Sequence, residues 1–315
     1  MDFSEAPPEK NANVEETLPP NEPPISLNPI FYNGTGEIRS GWRLLIYLSL
    51  ALLFFGLEII LFAFLPRTRS PYSVSAIIPG EFIMFAAAFG AALVMSRLEN
   101  RPSGLYGLPL HSAFGKHFWL GMFLGLCEIS LLVGAMRLFG AYSFGNLSFH
   151  GAKIFQWALL WLVACVLIGL AEEFLFRGYT QSTLAAGIGF WPAALILSIL
   201  FACVHLRNEG ENWFGVLNIF FTGLLWAFTL QRTGTLWLAV GWHAAFDFGE
   251  SFLYAVPNSG GVFEGHLSNA AVAQGRTWLT GGDVGPEASV FQMVTLVIGA
   301  IVIHFWFPAK PKLHT

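Results

Sequence analysis

The sequence predicts an all-α fold, a multi-pass transmembrane helical bundle of about eight spans, and three observations carry that prediction. Of 315 residues, 55% are hydrophobic and only 11% are charged, less than half the roughly 25% charge of soluble domains. The apolar residues fall in runs close to the roughly 20 needed to cross a hydrocarbon core of about 30 Å. With 31 Phe and 11 Trp besides, a water-soluble fold has no interior large enough for the apolar surface.

Taken in order, the chain opens with a segment, 1–40, read as a disordered acidic, Pro-rich tail. Between Met1 and Pro29 it carries Glu5, Glu9, Glu15, Glu16 and Glu22 with Pro pairs and no apolar run, the opposite of a cleavable signal peptide. Segment 41–150 holds three helices. The first covers about Trp42 to Leu65 and is ended by Pro66, Arg67 and Arg69; the second covers about Ala76 to Leu98. After a polar stretch with Glu99, Arg101, Pro102 and Pro109, the third covers about His117 to Phe139. Segment 151–256 is the core of the functional reading. Its four helices run over about Ile154 to Ser182, with charge in its second half, Phe190 to His205, Phe214 to Leu230 and Leu236 to Val256. Segment 257–287 is Gly-rich, with Asn258-Ser259-Gly260-Gly261 and Gly281-Gly282. Its composition fits a flexible external loop, and a lid over a site is the alternative. Segment 288–315 supplies the last helix, about Ala288 to Phe307, and a C-terminal tail.

A formal net charge of −4 with scattered Lys and Arg lacks the footprint of a nucleic-acid binder, so nucleic acid is dropped as a partner. Membrane lipids are the expected surroundings. Cys127, Cys165 and Cys203 sit in apolar runs, and their odd number argues against a disulfide framework. Eight crossings place both termini on one side. Near the membrane that side carries Arg39, Arg43, Arg97, Arg101, Lys116, Arg232, Lys310 and Lys312, against Arg67, Arg69, Arg137, Lys153, Arg207 and Arg276 opposite. Eight against six favours cytoplasmic termini, and a bacterial cytoplasmic membrane is the expected location.

An ionisable residue at the bilayer centre costs about 2.5 to 3.5 kcal/mol on insertion scales, so such residues within spans need a reason. They gather in three helices. The fourth contains Glu172-Glu173 and Arg177; Glu173 and Arg177 are at i,i+4, close enough to pair, while Glu172 lies about 100° away around the axis. One acid is therefore neutralised and the other left free to work. The fifth span ends with Phe201 and His205 on one face, and the seventh places His243 and Asp247 at i,i+4. Singly, each is explained as a structural ion pair or a satisfied core histidine. Together they supply proton movers and hydrogen-bond donors of the kinds a hydrolytic site needs. Glu58, Glu81 and Glu128 lie in other spans without a matching motif and receive no role; Glu58 and Glu128 fit tolerance near a cavity or pairing with each other. The remaining histidines, His111, His117, His150, His266, His304 and His314, fall in loops, near span ends or in the tail and are read as bystanders.

Three motifs in order resemble the CPBP group of membrane proteins, the type II CAAX prenyl endopeptidases and their bacteriocin-processing-like (Abi) relatives. Glu172-Glu173 with Arg177 is similar to the family's EExxxR, Phe201 with His205 to its FxxxH, and His243 with Asp247 to its HxxxN or HxxxD. The approach Arg232-Thr233-Gly234-Thr235-Leu236-Trp237 is also similar, and the resemblance covers about Leu162 to Phe248. It implies an intramembrane endopeptidase in which Glu172 and His205 bind and activate a water. His243 and Asp247 face the scissile carbonyl, supported by Glu173, Arg177 and Phe201. The implied partner is a peptide or protein substrate, including lipidated ones. An ionised Asp247 cannot donate to an oxyanion, so either it carries a proton or it fixes the tautomer of His243.

Glu172, His205, His243 and Asp247 are also feasible zinc ligands, and catalytic zinc takes three protein ligands plus water. The HExxH helix is absent and no outer carboxylate is identifiable from sequence. The metal-free glutamate mechanism is therefore preferred, with no cofactor expected and zinc as the alternative. A non-catalytic membrane immunity or partner protein of the same fold is the second functional reading. A proton-coupled transporter is the third, disfavoured because no internal repeat is visible.

Overall fold

The structure, a computed structural model, describes residues 28–63, 73–102 and 106–308. The first 27 residues of the expected tail, Pro66, Arg67 and Arg69 after the first helix, and Lys310, Lys312 and His314 lie outside the described residues. Residues 28–39 form a unit by themselves. There a bridge joins Tyr32 and Ile38, and the Asn33 side chain accepts the backbone N–H groups of Thr35 and Glu37, a closed turn rather than an open tail.

The remainder is helical. In chain order come α1 (Ser40–Phe62), α2 (Val74–Leu98), α3 (Lys116–Leu138), α4 (Ala152–Arg177), α5 (Tyr179–Ile188), α6 (Phe190–His205), α7 (Trp213–Thr233), α8 (Trp237–Phe248), the single turn α9 (Thr277–Thr280) and α10 (Val290–Trp306). The eight apolar runs thus all become helix, with two revisions. The fourth breaks into α4 and α5 at Gly178, where an added Cβ would lie 2.4 Å from the Phe174 carbonyl oxygen. The seventh is α-helical for only 12 residues and finishes as a π-helical turn, Gly249–Tyr254. Five segments among the described residues are long and apolar enough to cross a membrane: Ser40–Leu61, Val74–Leu98, Lys116–Leu138, Ala152–Ile188 and Trp213–Thr233. Phe190–His205 and Val290–Trp306 are apolar but shorter, so the expectation of eight full-length spans is reduced. The protein is a multi-pass helical bundle.

Its exposed faces are apolar, as lipid contact requires. Along α1, Leu52, Leu53, Leu57, Ile60 and Leu61 all point outward. The innermost element is α8, where ten of its residues are buried. It is packed against α3 at backbone distance, because small residues let the two chains approach. A Cβ on Gly121 would lie 2.2 Å from the Leu238 carbonyl oxygen, one on Gly125 2.2 Å from that of Trp242, and one on Gly241 2.1 Å from that of Phe118. On its other side α8 meets α4, which in turn packs on α2.

The Gly-rich connection is neither open nor unstructured. Its strand β2 (Ala270–Val272) pairs antiparallel with β1 (Tyr142–Phe144), with Tyr142 opposite Val272. The Tyr142 hydroxyl donates to the Thr280 carbonyl at 3.0 Å, and Trp161 Nε1 donates to that of Glu264 at 3.2 Å. Glycine serves close approach here. Gly260 (φ +82°) has the Glu209 carbonyl oxygen 2.5 Å from where a Cβ would stand, and Gly285 (φ +125°) has that of Pro257 at 2.1 Å.

Candidate active site

The last turn of α4 carries Glu172, Glu173 and Arg177 toward α6, α7 and α8. Arg177 is 1% exposed and Glu173 0%, with Nη1 to Oε1 at 3.3 Å. The guanidinium lies over the Phe201 ring, 4.3 Å from its centroid, and 5.6 Å from the centroid of the Phe176 ring. Gly223 on α7 makes the room, since a Cβ there would come within 2.7 Å of Arg177 Nη2. The His205 ring also meets Phe201, with centroids 4.5 Å apart.

Glu173 has a second bond that the sequence did not show. Its Oε1 is 3.1 Å from His243 Nδ1. A carboxylate only accepts, so Nδ1 carries a proton, and Nε2 is turned the other way. There it lies 3.9 Å from Glu172 Oε2 and 3.7 Å from Asp247 Oδ2. Of the two alternatives for Asp247, a proton of its own or fixing the His243 tautomer, the second is a task that Glu173 performs at Nδ1. Glu173 is thus an outer carboxylate that the sequence alone did not identify. Trp226 backs the imidazole, with ring planes 19° apart and centroids at 6.2 Å.

His205 ends α6, and its Nδ1 lies 2.7 Å from the Phe201 carbonyl oxygen. Since a carbonyl accepts, Nδ1–H donates and the Nε2 lone pair remains available. Glu172 is 23% exposed, against 0% for Glu173, so the free acid is the one that borders open space. That space is a cavity of about 220 Å³ lined by all four candidates, Glu172, His205, His243 and Asp247, together with Phe201.

The cavity wall also contains residues to which no role was given from the sequence. Glu81 comes from α2, Glu128 from α3, Asn258, Ser259 and Glu287 from the Gly-rich connection, and Gln292 from α10. Glu81 and Glu128 were visible as acids within apolar runs; Glu287 carried no signal beyond its place at the end of a Gly-rich segment. Glu128 is engaged by Trp242 Nε1 at 2.5 Å, Thr295 Oγ1 at 3.0 Å and Gln292 Nε2 at 3.4 Å. Its partner is thus the indole beside His243 rather than Glu58. Glu287 Oε1 accepts the Ser259 N–H at 2.8 Å. Burial, and the charges of Asp247 and Glu211, push the Glu287 carboxyl up to about 7, against the pull of His205 and the Ser259 N–H. Burial likewise raises the Glu211 carboxyl.

Among the described residues no group of three or more His, Cys, Asp or Glu side chains is arranged to hold a metal ion.

No curated protein and no solved structure matches the chain. A family model does: residues 154–249 match the type II CAAX prenyl endopeptidase Rce1-like family, a match running from α4 to the end of α8 that contains all three motifs. With its long apolar helices, the chain is therefore an integral membrane protein whose segment 154–249 is similar to the type II CAAX prenyl endopeptidase Rce1-like domain, in line with the CPBP resemblance of its motifs.

Proposed function

We propose that the protein is an intramembrane endopeptidase that hydrolyses a peptide bond with a water activated by Glu172. The observation that carries this reading is the convergence of Glu172, His205, His243 and Asp247, from three helices, on one cavity. Glu172 accepts a proton from a water whose other hydrogen is held by the His205 Nε2 lone pair, free because Nδ1–H is committed to Phe201. The water oxygen adds to the scissile carbonyl carbon. The carbonyl oxygen becomes an oxyanion that takes a hydrogen bond from His243 Nε2–H when the imidazole is the cation carrying a proton on both nitrogens, and from Asp247 when that carboxyl bears its proton. The C–N bond then breaks as the leaving nitrogen takes up a proton.

Glu173 and Arg177 are the supporting pair: they neutralise each other and hold the His243 ring. Phe201 seats Arg177 and His205 together. The substrate is a peptide or protein reached within the membrane. Apolar cavity walls such as Ile77, Ile168 and Phe246, and the family's description as CAAX prenyl endopeptidases, favour a lipidated one. Both chain ends face the cytoplasm in this reading.

The test is cleavage of a peptide ending in a prenylated cysteine plus three residues, and of a peptide library, by detergent-purified wild type and Glu172→Gln, with and without chelator. Cleavage that survives chelation and falls by about 100-fold or more in the variant supports the mechanism. Loss on chelation would shift the reaction to a metal, and equal behaviour of the two proteins would point to the non-catalytic partner reading.

A further inference from the structure

Amide hydrolysis needs two proton transfers, one from the attacking water and one to the leaving nitrogen, and the three motifs supply only the first without strain on their other tasks. Glu172 is occupied by the water's proton. Glu173 is held between Arg177 and His243. The remaining acids of the cavity wall are mostly engaged as well, Glu128 by Trp242 and Thr295, and Glu287 by the Ser259 N–H.

Glu81 is different. It belongs to α2, outside the 154–249 match, one turn after Ile77 on the face that lines the cavity opposite α4. Its Oε2 is buried with no hydrogen-bond partner among the described residues, and no Lys or Arg lines the cavity to pair with it. The ionisable groups within its electrostatic reach are Glu172, Asp247 and His243. A buried polar atom without a partner in a native site calls for an explanation such as a catalytic role, and an acid at membrane depth is costly to insert unless it has one.

We propose that Glu81 is the acid that protonates the leaving nitrogen, an inference that rests on the glutamate-water reading above. As the tetrahedral intermediate collapses, the C–N electron pair goes to nitrogen, which takes the proton of the Glu81 carboxyl, while the oxyanion re-forms the carbonyl. The products are a carboxylic acid and an amine. The proton that Glu172 took from water then passes through the cavity to the Glu81 carboxylate, and both groups return to their starting states.

The experiment compares wild type, Glu81→Gln, Glu81→Asp and Glu172→Gln on two probes. One is the prenylated peptide; the other is its acyl portion as a p-nitrophenyl ester, whose leaving group departs as an anion and needs no proton. Glu81→Gln should lose peptide cleavage by about 100-fold or more and keep ester hydrolysis near the wild-type rate. Glu81→Asp, which keeps an acid, should recover part of the peptide activity. Glu172→Gln should lose both. Peptide cleavage by Glu81→Gln at the wild-type rate, or an equal loss on both probes, overturns the assignment of Glu81 while leaving that of Glu172 intact. Retention of both activities by Glu172→Gln overturns the underlying mechanism instead.

Discussion

Glu173 reaches His243 with the oxygen that also faces Arg177, 3.1 Å from Nδ1 and 3.3 Å from the guanidinium. One fully buried carboxylate therefore closes the arginine socket and aims the imidazole. Replacing it by Gln leaves a buried cation without its counter-charge, a loss of about 3–5 kcal/mol. Glu173→Gln should melt well below wild type in detergent and be inactive, whereas Glu172→Gln, at the open edge of the same turn, should melt close to wild type. Thermal unfolding of the two proteins side by side checks this, and equal melting would remove the structural role given to Glu173.

Phe201 should behave as a hinge between stability and activity. Its ring lies under Arg177 at 4.3 Å and against His205 at 4.5 Å. Phe201→Leu keeps the apolar volume roughly but removes a desolvated cation–π contact of about 2 kcal/mol. The expected outcome is a modest fall in melting temperature with a larger fall in peptide cleavage, since His205 loses its backing. Loss of stability alone would mean that the ring serves Arg177 only.

The α3–α8 contact tolerates no side chain at its crossing points. Gly121→Val or Gly241→Val drives carbons into the carbonyls of Leu238 or Phe118, where even a Cβ sits at 2.2 or 2.1 Å. Overpacking costs about 1–3 kcal/mol or more, and here it displaces the helix that carries His243 and Asp247. Folded yield should collapse for both variants, while Gly134→Ala, with open space around it, should purify like wild type. Size-exclusion profiles in detergent read the difference.

Stability should fall as pH rises toward neutrality through Glu287. Its folded-state carboxyl titrates at about 7, raised chiefly by burial from an ordinary value of 4.5. Below pH 4.5 both folded and unfolded chains hold the proton and the stabilisation is complete. Between 4.5 and 7 the unfolded chain has released it while the folded chain has not, so stability declines, and above 7 the loss is complete. Glu287→Gln, which cannot ionise, should flatten that part of the melting-temperature profile. An unchanged slope would assign the pH dependence to another group.

Much of the architecture is legible in the sequence because hydrocarbon imposes a single demand on every span, an apolar run of sufficient length. That demand marks eight apolar runs, of which five become helical segments long enough to cross among the described residues, and α6 occupies the predicted Phe190 to His205. It does not mark where a helix bends. At Gly178 a Cβ would meet the Phe174 carbonyl, and α8 finishes in a π-helical turn; neither is a matter of hydropathy. Spacing likewise places Glu173 with Arg177 and His243 with Asp247, since i,i+4 on a helix is a local rule. Contacts between helices follow no such rule. The Glu173–His243 bond joins residues 70 apart, and Glu81, Glu128 and Glu287 reach the cavity from elements outside the motif-bearing segment. Glycine composition fitted a flexible loop over 257–287, yet its glycines permit close backbone approaches, Gly260 to Glu209 and Gly285 to Pro257, and Asn258, Ser259 and Glu287 line the cavity. The sequence by itself determined a membrane-embedded helical protein with three polar motifs, because length, hydropathy and helical period are local properties. Only the tertiary structure decided which carboxylate holds a histidine, which borders the cavity and which is left without a partner, because those depend on how separate helices face one another.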